Sequence, residues 1–168
     1  AIIGMQGGTA KLYDIWQKMK NADVPVIAFW TQDWIGQRTT LAGKQLWWNW
    51  ELDNDRYPNW NLLHDSLSSN SISLMGYINP FLVDVTAEKS NYRRDMYKEA
   101  TQNNYLVLND AGQPYQVQNT SFTSGVLDLS DTSCVHWIKD IIKDEMLARG
   151  QKGWMADFAE ALPFDVEL

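Results

Sequence analysis

The stretch Gly153–Pro163 reads GWMADFAEALP, an apolar run that ends on a carboxylate, Asp157, with a second acid, Glu160, close behind. A short acid held by backbone at the tip of a buried strand is placed to work on a bound molecule. The same residue type after an apolar run is also a frequent helix N-cap or turn former, so these residues by themselves leave both roles open. Other polar residues recur in the same setting: Gln6, Gln32-Asp33 and Asn79 each follow an apolar run. In parallel α/β folds the C-terminal strand ends converge and the loops after them vary freely, so active sites are built there. For Gln6 and Gln32 the competing role is backbone capping. Asp33 reads as a binding-site or loop-anchoring carboxylate, and Glu160 as a residue that supports the site from behind or belongs to a loop.

The elements that must position these groups can be read from periodicity. Ala1–Met5 is an apolar run closed by Gln6-Gly7-Gly8-Thr9. Thr9 is expected to cap a helix whose apolar positions Leu12, Ile15, Trp16 and Met19 follow helical spacing. Val26–Trp30 predicts a second strand, followed by a long polar and aromatic loop to Pro58. Trp60, Leu63 and Leu67 predict a short helix, and Ile72–Ile78 a third strand. Glu88–Asn103 is charged and predicts a helix with Tyr92, Met96 and Ala100 on one side. Tyr105–Val117 suggests a small inserted hairpin around Asp110-Ala111-Gly112. Ser130-Asp131-Thr132 starts a helix with Val135, Ile138, Ile142 and Met146 inward, and GWMADF follows as the last strand, with Met75 and Met155 expected in the core.

Strands thus alternate with helices, and most strands are near-continuous apolar runs. That pattern marks a parallel sheet covered by helices. A doubly wound fold would carry a glycine-rich phosphate loop, and Gln6-Gly7-Gly8-Thr9 lacks the spacing of the dinucleotide fingerprint. The fold class is therefore α/β of the (β/α)8 TIM-barrel type. About four strands do not close an eight-stranded barrel, and 168 residues fall below the usual ~250. The expectation is about the first four β/α units, a partial barrel segment over residues 1–168.

Composition narrows the partners. The net charge of −7 and pI of about 4.7 argue against a nucleic-acid surface, which needs a basic patch. No apolar run approaches the ~20 residues of a membrane span. The single cysteine, Cys134, forms no internal disulfide and permits a reducing compartment, so a cytoplasmic location is favoured. His64 and His136 are isolated, no Cys/His cluster has zinc spacing, and neither a metal nor a cofactor is expected. The opening AIIGMQ lacks an initiator Met and reads as mid-strand, so further chain is expected before it. Nine tryptophans are unusual, and six of them (Trp30, Trp34, Trp47, Trp48, Trp50 and Trp60) fall within one segment. Indole faces that stack on sugar rings are one explanation, and a tryptophan-rich core layer or a partner interface is the other.

Five motifs occur in order: GMQGGTAK (Gly4–Lys11), WTQDWIGQR (Trp30–Arg38), GKQLWWNW (Gly43–Trp50), GYINPFL (Gly76–Leu82) and GWMADFAE (Gly153–Glu160). Together they resemble the sulfoquinovosidases, a branch of glycoside hydrolase family 31, over nearly the whole chain. GWMAD at a strand end is the most diagnostic. The resemblance implies a (β/α)8 catalytic domain, retaining hydrolysis of α-glycosides of sulfoquinovose, a sulfonated glucose, and a carbohydrate ligand such as sulfoquinovosyl glycerol. It implies that Asp157 is the catalytic nucleophile. It also implies that Gln6, Gln32 and Trp48 bind substrate and that Gln45 stands where bacterial members place an arginine for the sulfonate. Glutamine brings no charge, and a charge-assisted contact is about twice as strong, so Lys44 or Arg38 would have to supply the cation. Ala159 stands where the family has glycine.

The family's β-sandwich before the barrel, the smaller β domains after it and the second half of the barrel are not in this sequence. A retaining site needs two carboxyl groups about 5–5.5 Å apart. The family's acid/base aspartate belongs to a later strand, so this segment alone is expected to be inactive. The remaining half of the barrel, or self-association, is expected to cover its open strand edges. Two alternatives keep their place: an α-glucosidase of the same family, motivated by Gln45, and a non-catalytic carbohydrate-binding or scaffold half-barrel.

Overall fold

The computed structural model describes residues 1–166, with Ala161 described by its backbone alone. In chain order the strands are β1 (Ile2–Met5), β2 (Ala28–Thr31), β3 (Gln37–Thr40), β4 (Gly43–Leu46), β5 (Ser73–Ile78), β6 (Phe81–Leu82), β7 (Val117–Asn119), β8 (Phe122–Val126) and β9 (Gln151–Ala156). The helices are α1 (Gly8–Asn21), α2 (Trp60–Ser68), α3 (Met96–Gln102) and α4 (Thr132–Ile141). Strands β1, β2, β5 and β9 form one parallel sheet in that order. Helices α1, α2 and α4 carry its crossovers, as expected of four consecutive β/α units, and the barrel is not closed. The long loop after β2 is partly ordered as the antiparallel β3–β4 hairpin. β6, β8 and β7 form a small antiparallel sheet inserted between β5 and α4.

Burial explains the segment rich in indole. Trp34, Trp50 and Trp60 are buried in the main core with Phe29, Leu63 and Tyr77, and Trp47 is buried against Val83 and Val85. The N–H groups of Trp34, Trp50 and Trp60 are used as ties. Trp34 donates to Tyr77 O at 2.8 Å, Trp50 to Phe81 O at 3.0 Å and Trp60 to Arg149 O at 2.8 Å. Each bond fastens a loop to a strand end or helix end while the ring fills the core, which satisfies the polar edge that burial would otherwise penalise. The core-layer explanation therefore accounts for most of these residues.

Several expectations from sequence are corrected. Thr9 is not a cap: α1 starts at Gly8, after Gly7 and Gly8 adopt positive φ, and the Thr9 hydroxyl donates to Pro58 O at 3.1 Å. The helix expected over Glu88–Asn103 shrinks to Met96–Gln102, capped by Asp95, whose side chain accepts from Lys98 N. The residues before it bind the 49–56 loop instead. Lys89 pairs with Asp53 at 3.1 Å, Asn91 donates to Asp55 at 2.7 Å, and Arg93 N donates to Glu51 at 2.9 Å. Tertiary partners thus override local helical spacing. The small hairpin expected over Tyr105–Val117 is short: Leu108 bridges Pro114, Asn109 N donates to Gln113 O at 2.9 Å and Tyr115 N to Val107 O at 2.8 Å, and a further hairpin ladder lies at β7–β8.

On α4 the inward set is Cys134, Ile138 and Ile141, with Val135 half-buried. The following turn, Ile142–Leu147, widens to π-helical geometry, which re-phases the face so that Met146 is buried and Ile142 half-buried. Finally, β9 is an edge strand with β5 as its neighbour. Its apolar run is not enclosed: Trp154 is half-buried and Met155 is 43% exposed. Met75 is half-buried rather than core.

Gly8 tests the entry to α1. Its φ of +77° is one that side chains rarely adopt, and an added Cβ would overlap the carbonyl oxygen of Arg56. Gly8→Ala is expected to lower the unfolding free energy by about 2 kcal/mol. Gly153→Ala, whose methyl would meet Met75 Cε at an ordinary 3.5 Å, is not expected to lower it. Equilibrium urea unfolding of both variants checks the contrast.

Candidate active site

The sheet register brings the polar residues together. Met5 is level with Thr31, and Ile78 with Ala156, so Gln6 with Gln32, and Asn79 with Asp157, emerge at the same end of the sheet. Trp30 is level with Met75, which carries Tyr77 alongside Gln32. A cavity of about 320 Å³ opens there, lined by Gln6, Gln32, Gln37, Lys44, Gln45, Leu46, Trp48, Tyr77, Asn119, Thr120 and Phe158. Of the residues expected at the site, Gln6, Gln32, Gln45 and Trp48 line this cavity. Asp157 borders it through Tyr77.

Asp157 is half-buried and hydrogen-bonded on both oxygens. Tyr77 Oη donates to Oδ2 at 3.1 Å, and Phe158 N donates to Oδ1 at 3.1 Å. Asp157 N in turn donates to Ile78 O at 3.1 Å, which continues the β5–β9 ladder one residue past β9. The carboxylate is therefore held by backbone and by one phenol. Asp157 begins no α-helix, since the next turn is the short 3-10 segment Ala159–Ala161 with Phe158 before it. Burial, first, and the neighbouring Asp157 charge push the Tyr77 phenol above its ordinary pKa, against the opposing effect of Asn79. Tyr77 thus stays a protonated donor throughout the physiological range. Nothing in the apolar pattern of GYINPFL singles out Tyr77. Its signal is its place two residues before the strand-end Asn79, on the same face of β5.

The cavity wall is aromatic. Trp48 stacks on Phe81 with centroids 5.1 Å apart, meets Phe122 edge-on at 5.4 Å and faces Phe158 at 6.4 Å. Trp48 and Phe158 have φ of 48° and 60°, left-handed values that are rare for large side chains. Such conformations persist only where surrounding structure holds them, and they collect at functional sites. Trp48 is half-buried, and its indole N–H makes no hydrogen bond among the described residues. Trp34, by contrast, is core, and Trp30 is half-buried with its N–H enclosed and without a partner.

The charged candidates divide. Lys44 is exposed at the cavity. Arg38 is not part of it: its guanidinium lies between the rings of Trp47 and Phe122 and donates to Trp47 O at 3.1 Å. Gln45 donates its amide N–H to Thr120 Oγ1 at 3.0 Å. Asp33 is fully buried beneath the site and accepts from Gly7 N, Arg56 Nε and Tyr57 Oη at 2.8, 2.6 and 2.6 Å. It is a loop anchor. Glu160 is exposed and makes no hydrogen bond among the described residues, which agrees with its reading as a loop residue. His64 pairs with the adjacent Asp65, and His136 is exposed on α4. Among the described residues no group of His, Cys, Asp or Glu could hold a metal ion, and no helix is long and apolar enough to cross a membrane.

Comparison with known proteins places this arrangement in context. Residues 4–167 match the family model described as the glycosyl hydrolases family 31 TIM-barrel domain. The chain is 37% identical over 166 residues to a sulfoquinovosidase of Escherichia coli strain K12, covering 99% of this chain and 23% of that protein. It is 32% identical to a sulfoquinovosidase of Agrobacterium fabrum, with coverage of 100% and 24%. The chain thus spans about a quarter of the length of these relatives. A solved family 31 sulfoquinovosidase from E. rectale, in complex with an aza-sugar inhibitor, superposes with a TM-score of 0.87 at 36% identity. That match covers 98% of this chain and 24% of the other.

The Tyr77 phenol offers a direct check on this geometry. The chain has seven tyrosines. In a spectrophotometric titration to about pH 11, past the ordinary tyrosine pKa of about 10, Tyr77→Phe is expected to leave the tyrosinate amplitude unchanged, because Tyr77 does not ionise while the protein is folded. The raised pKa also has a sign for stability. Its contribution is complete below the unfolded pKa and is lost as pH rises beyond it, so the variant should lose less stability than the parent above about pH 10.

Proposed function

This chain belongs to glycosyl hydrolase family 31, and we propose that it forms part of the catalytic barrel of a retaining sulfoquinovosidase, with Asp157 as nucleophile. The observation that carries the reading is the placement of Asp157. It is a carboxylate delivered by backbone to the C-terminal end of a parallel sheet, beside a sugar-sized cavity walled by Trp48 and Phe158. The identity to two sulfoquinovosidases along the whole chain supports the substrate class.

In this mechanism Asp157 attacks the anomeric carbon and forms a covalent glycosyl intermediate. A second carboxyl group protonates the leaving oxygen and then activates the water that releases the sugar. Tyr77 and Phe158 N each hold one oxygen of the nucleophile. Asp33 is saturated by three donors beneath the cavity, and Glu160 is exposed to solvent, so neither takes the acid/base role. That partner is assigned to the rest of the barrel, which would also cover the open edge of β9.

Binding is assigned to Gln6, Gln32, Gln45 and Trp48. The sulfonate requires a cation or strong donors. Lys44 is the charged group at the cavity, and the unengaged Trp48 indole adds a donor. Gln45 favours a second reading, an α-glucosidase. Its amide is neutral and one of its two N–H donors is taken by Thr120, so it offers an anion no charge and a single remaining N–H, while its carbonyl oxygen can meet a hydroxyl.

Steady-state kinetics of the full-length protein separate these. Aryl α-sulfoquinovoside is expected to have the higher kcat/KM, and a higher value on the aryl α-glucoside decides for the second reading. Asp157→Asn is expected to lower kcat on the order of 10³-fold or more, as loss of an enzyme nucleophile typically does. Turnover at the parent rate would remove Asp157 from the mechanism.

A further inference from the structure

A chain of side-chain amides runs from the buried anchor to the cavity. Arg56, whose Nε is fixed by Asp33, donates through Nη2 to Gln37 Oε1 at 2.9 Å. Gln37 Nε2 donates to Gln6 Oε1 at 2.6 Å, and Gln6 Nε2 donates to Gln32 Oε1 at 2.6 Å. The direction of this chain is not a free choice. A guanidinium has donors and no acceptor, so the atom of Gln37 that faces it must be the carbonyl oxygen. Each amide then turns its NH2 to the next. At the far end Gln32, which lines the cavity, has its oxygen occupied, and its NH2 makes no hydrogen bond among the described residues.

We infer that Arg56 and Gln37 are specificity-determining positioning residues: by donating into the amide relay Gln37–Gln6–Gln32, they lock Gln32 as a hydrogen-bond donor toward the ligand. Without Arg56 the three amides could all reverse together and present an acceptor instead. With it, this corner of the cavity selects a group that accepts. A sulfonate has acceptors alone. A hydroxyl can meet either polarity by rotating. The relay therefore favours a sulfonated ligand. The link to sulfonate rests on the function proposed above, but the polarity of the relay does not.

The discriminating variants are Gln37→Glu and Gln37→Leu in the full-length protein. The Gln37→Glu variant keeps the shape and the acceptor for Arg56, but its carboxylate has no donor for Gln6. Gln6 must then turn its NH2 toward that carboxylate and accept from the NH2 of Gln32, which leaves Gln32 presenting its oxygen. The Gln37→Leu variant removes the constraint and lets the ligand choose. The expected order is the reverse of what shape alone dictates. Gln37→Glu raises KM for aryl α-sulfoquinovoside on the order of 10- to 100-fold, the scale of a charge-assisted hydrogen bond lost. Gln37→Leu raises it several-fold less, and KM for the aryl α-glucoside moves little in Gln37→Glu. A Gln37→Leu variant that is equally or more impaired on the sulfoquinovoside overturns the inference and leaves a packing role.

Neutron diffraction from the perdeuterated, ligand-free full-length protein reads the relay without any substrate. Deuterium on Gln37 directed at Gln6, and on Gln6 directed at Gln32, is expected. The opposite orientation overturns the relay whatever the substrate is. A parent enzyme that prefers the glucoside overturns the sulfosugar reading alone.

Discussion

The site hangs on the burial of Asp33. A carboxylate with no exposure to solvent is tolerable only when its charge is paired and its lone pairs are used. Asp33 meets this with the backbone N–H of Gly7, the guanidinium of Arg56 and the phenol of Tyr57. These three partners come from the turn after β1 and from the loop before α2, and Asp33 itself follows β2. One buried charge thus fixes the relative positions of the segments that carry Gln6, Gln32 and Gln37. Burial and the adjacent Asp33 charge raise the Tyr57 phenol well above its ordinary pKa, so Tyr57 remains a donor.

Around this anchor the indoles do a different job from the one their abundance suggests. Trp34, Trp50 and Trp60 are fillers with a polar edge, each donating its N–H to a backbone carbonyl. Trp48 has a different place. It sits in a left-handed conformation on the cavity wall, packed among Phe81, Phe122 and Phe158. The inserted β6–β8–β7 sheet matters for the same reason, because it supplies Phe81 and Phe122 and carries Thr120 to Gln45. The sheet between β5 and α4 is therefore part of the cavity rather than an ornament on the barrel.

The misreadings have a common origin. Glu88–Arg94 has the charge pattern of a helix, yet its Lys89, Asn91 and Arg93 are drawn to Asp53, Asp55 and Glu51. The inner face of α4 shifts because a π-turn at Ile142–Leu147 changes the residue period after the helix has begun. Trp154 and Met155 are apolar enough for a barrel interior, but β9 stands at the edge of its sheet. In each case local pattern was sound, and a partner distant in sequence decided the outcome.

The parallel sheet, its crossovers and the gathering of Gln6, Gln32, Asn79 and Asp157 at one end were legible in the sequence. Apolar runs that alternate with helical spacing admit few topologies, and a residue that ends a parallel strand can emerge at only one end of the sheet. Ordered motifs such as GWMADFAE carried the family as well. What the sequence left open was the chemistry between those residues. Tyr77 lies within an apolar strand, and its role depends on register against β9. Gln37 opens β3 and Arg56 lies in a loop, and their hold on Gln6 and Gln32 depends on which donor meets which acceptor. Hydrogen-bond direction is a property of atoms in contact, and contact across long separations along the chain exists only once the tertiary structure has formed.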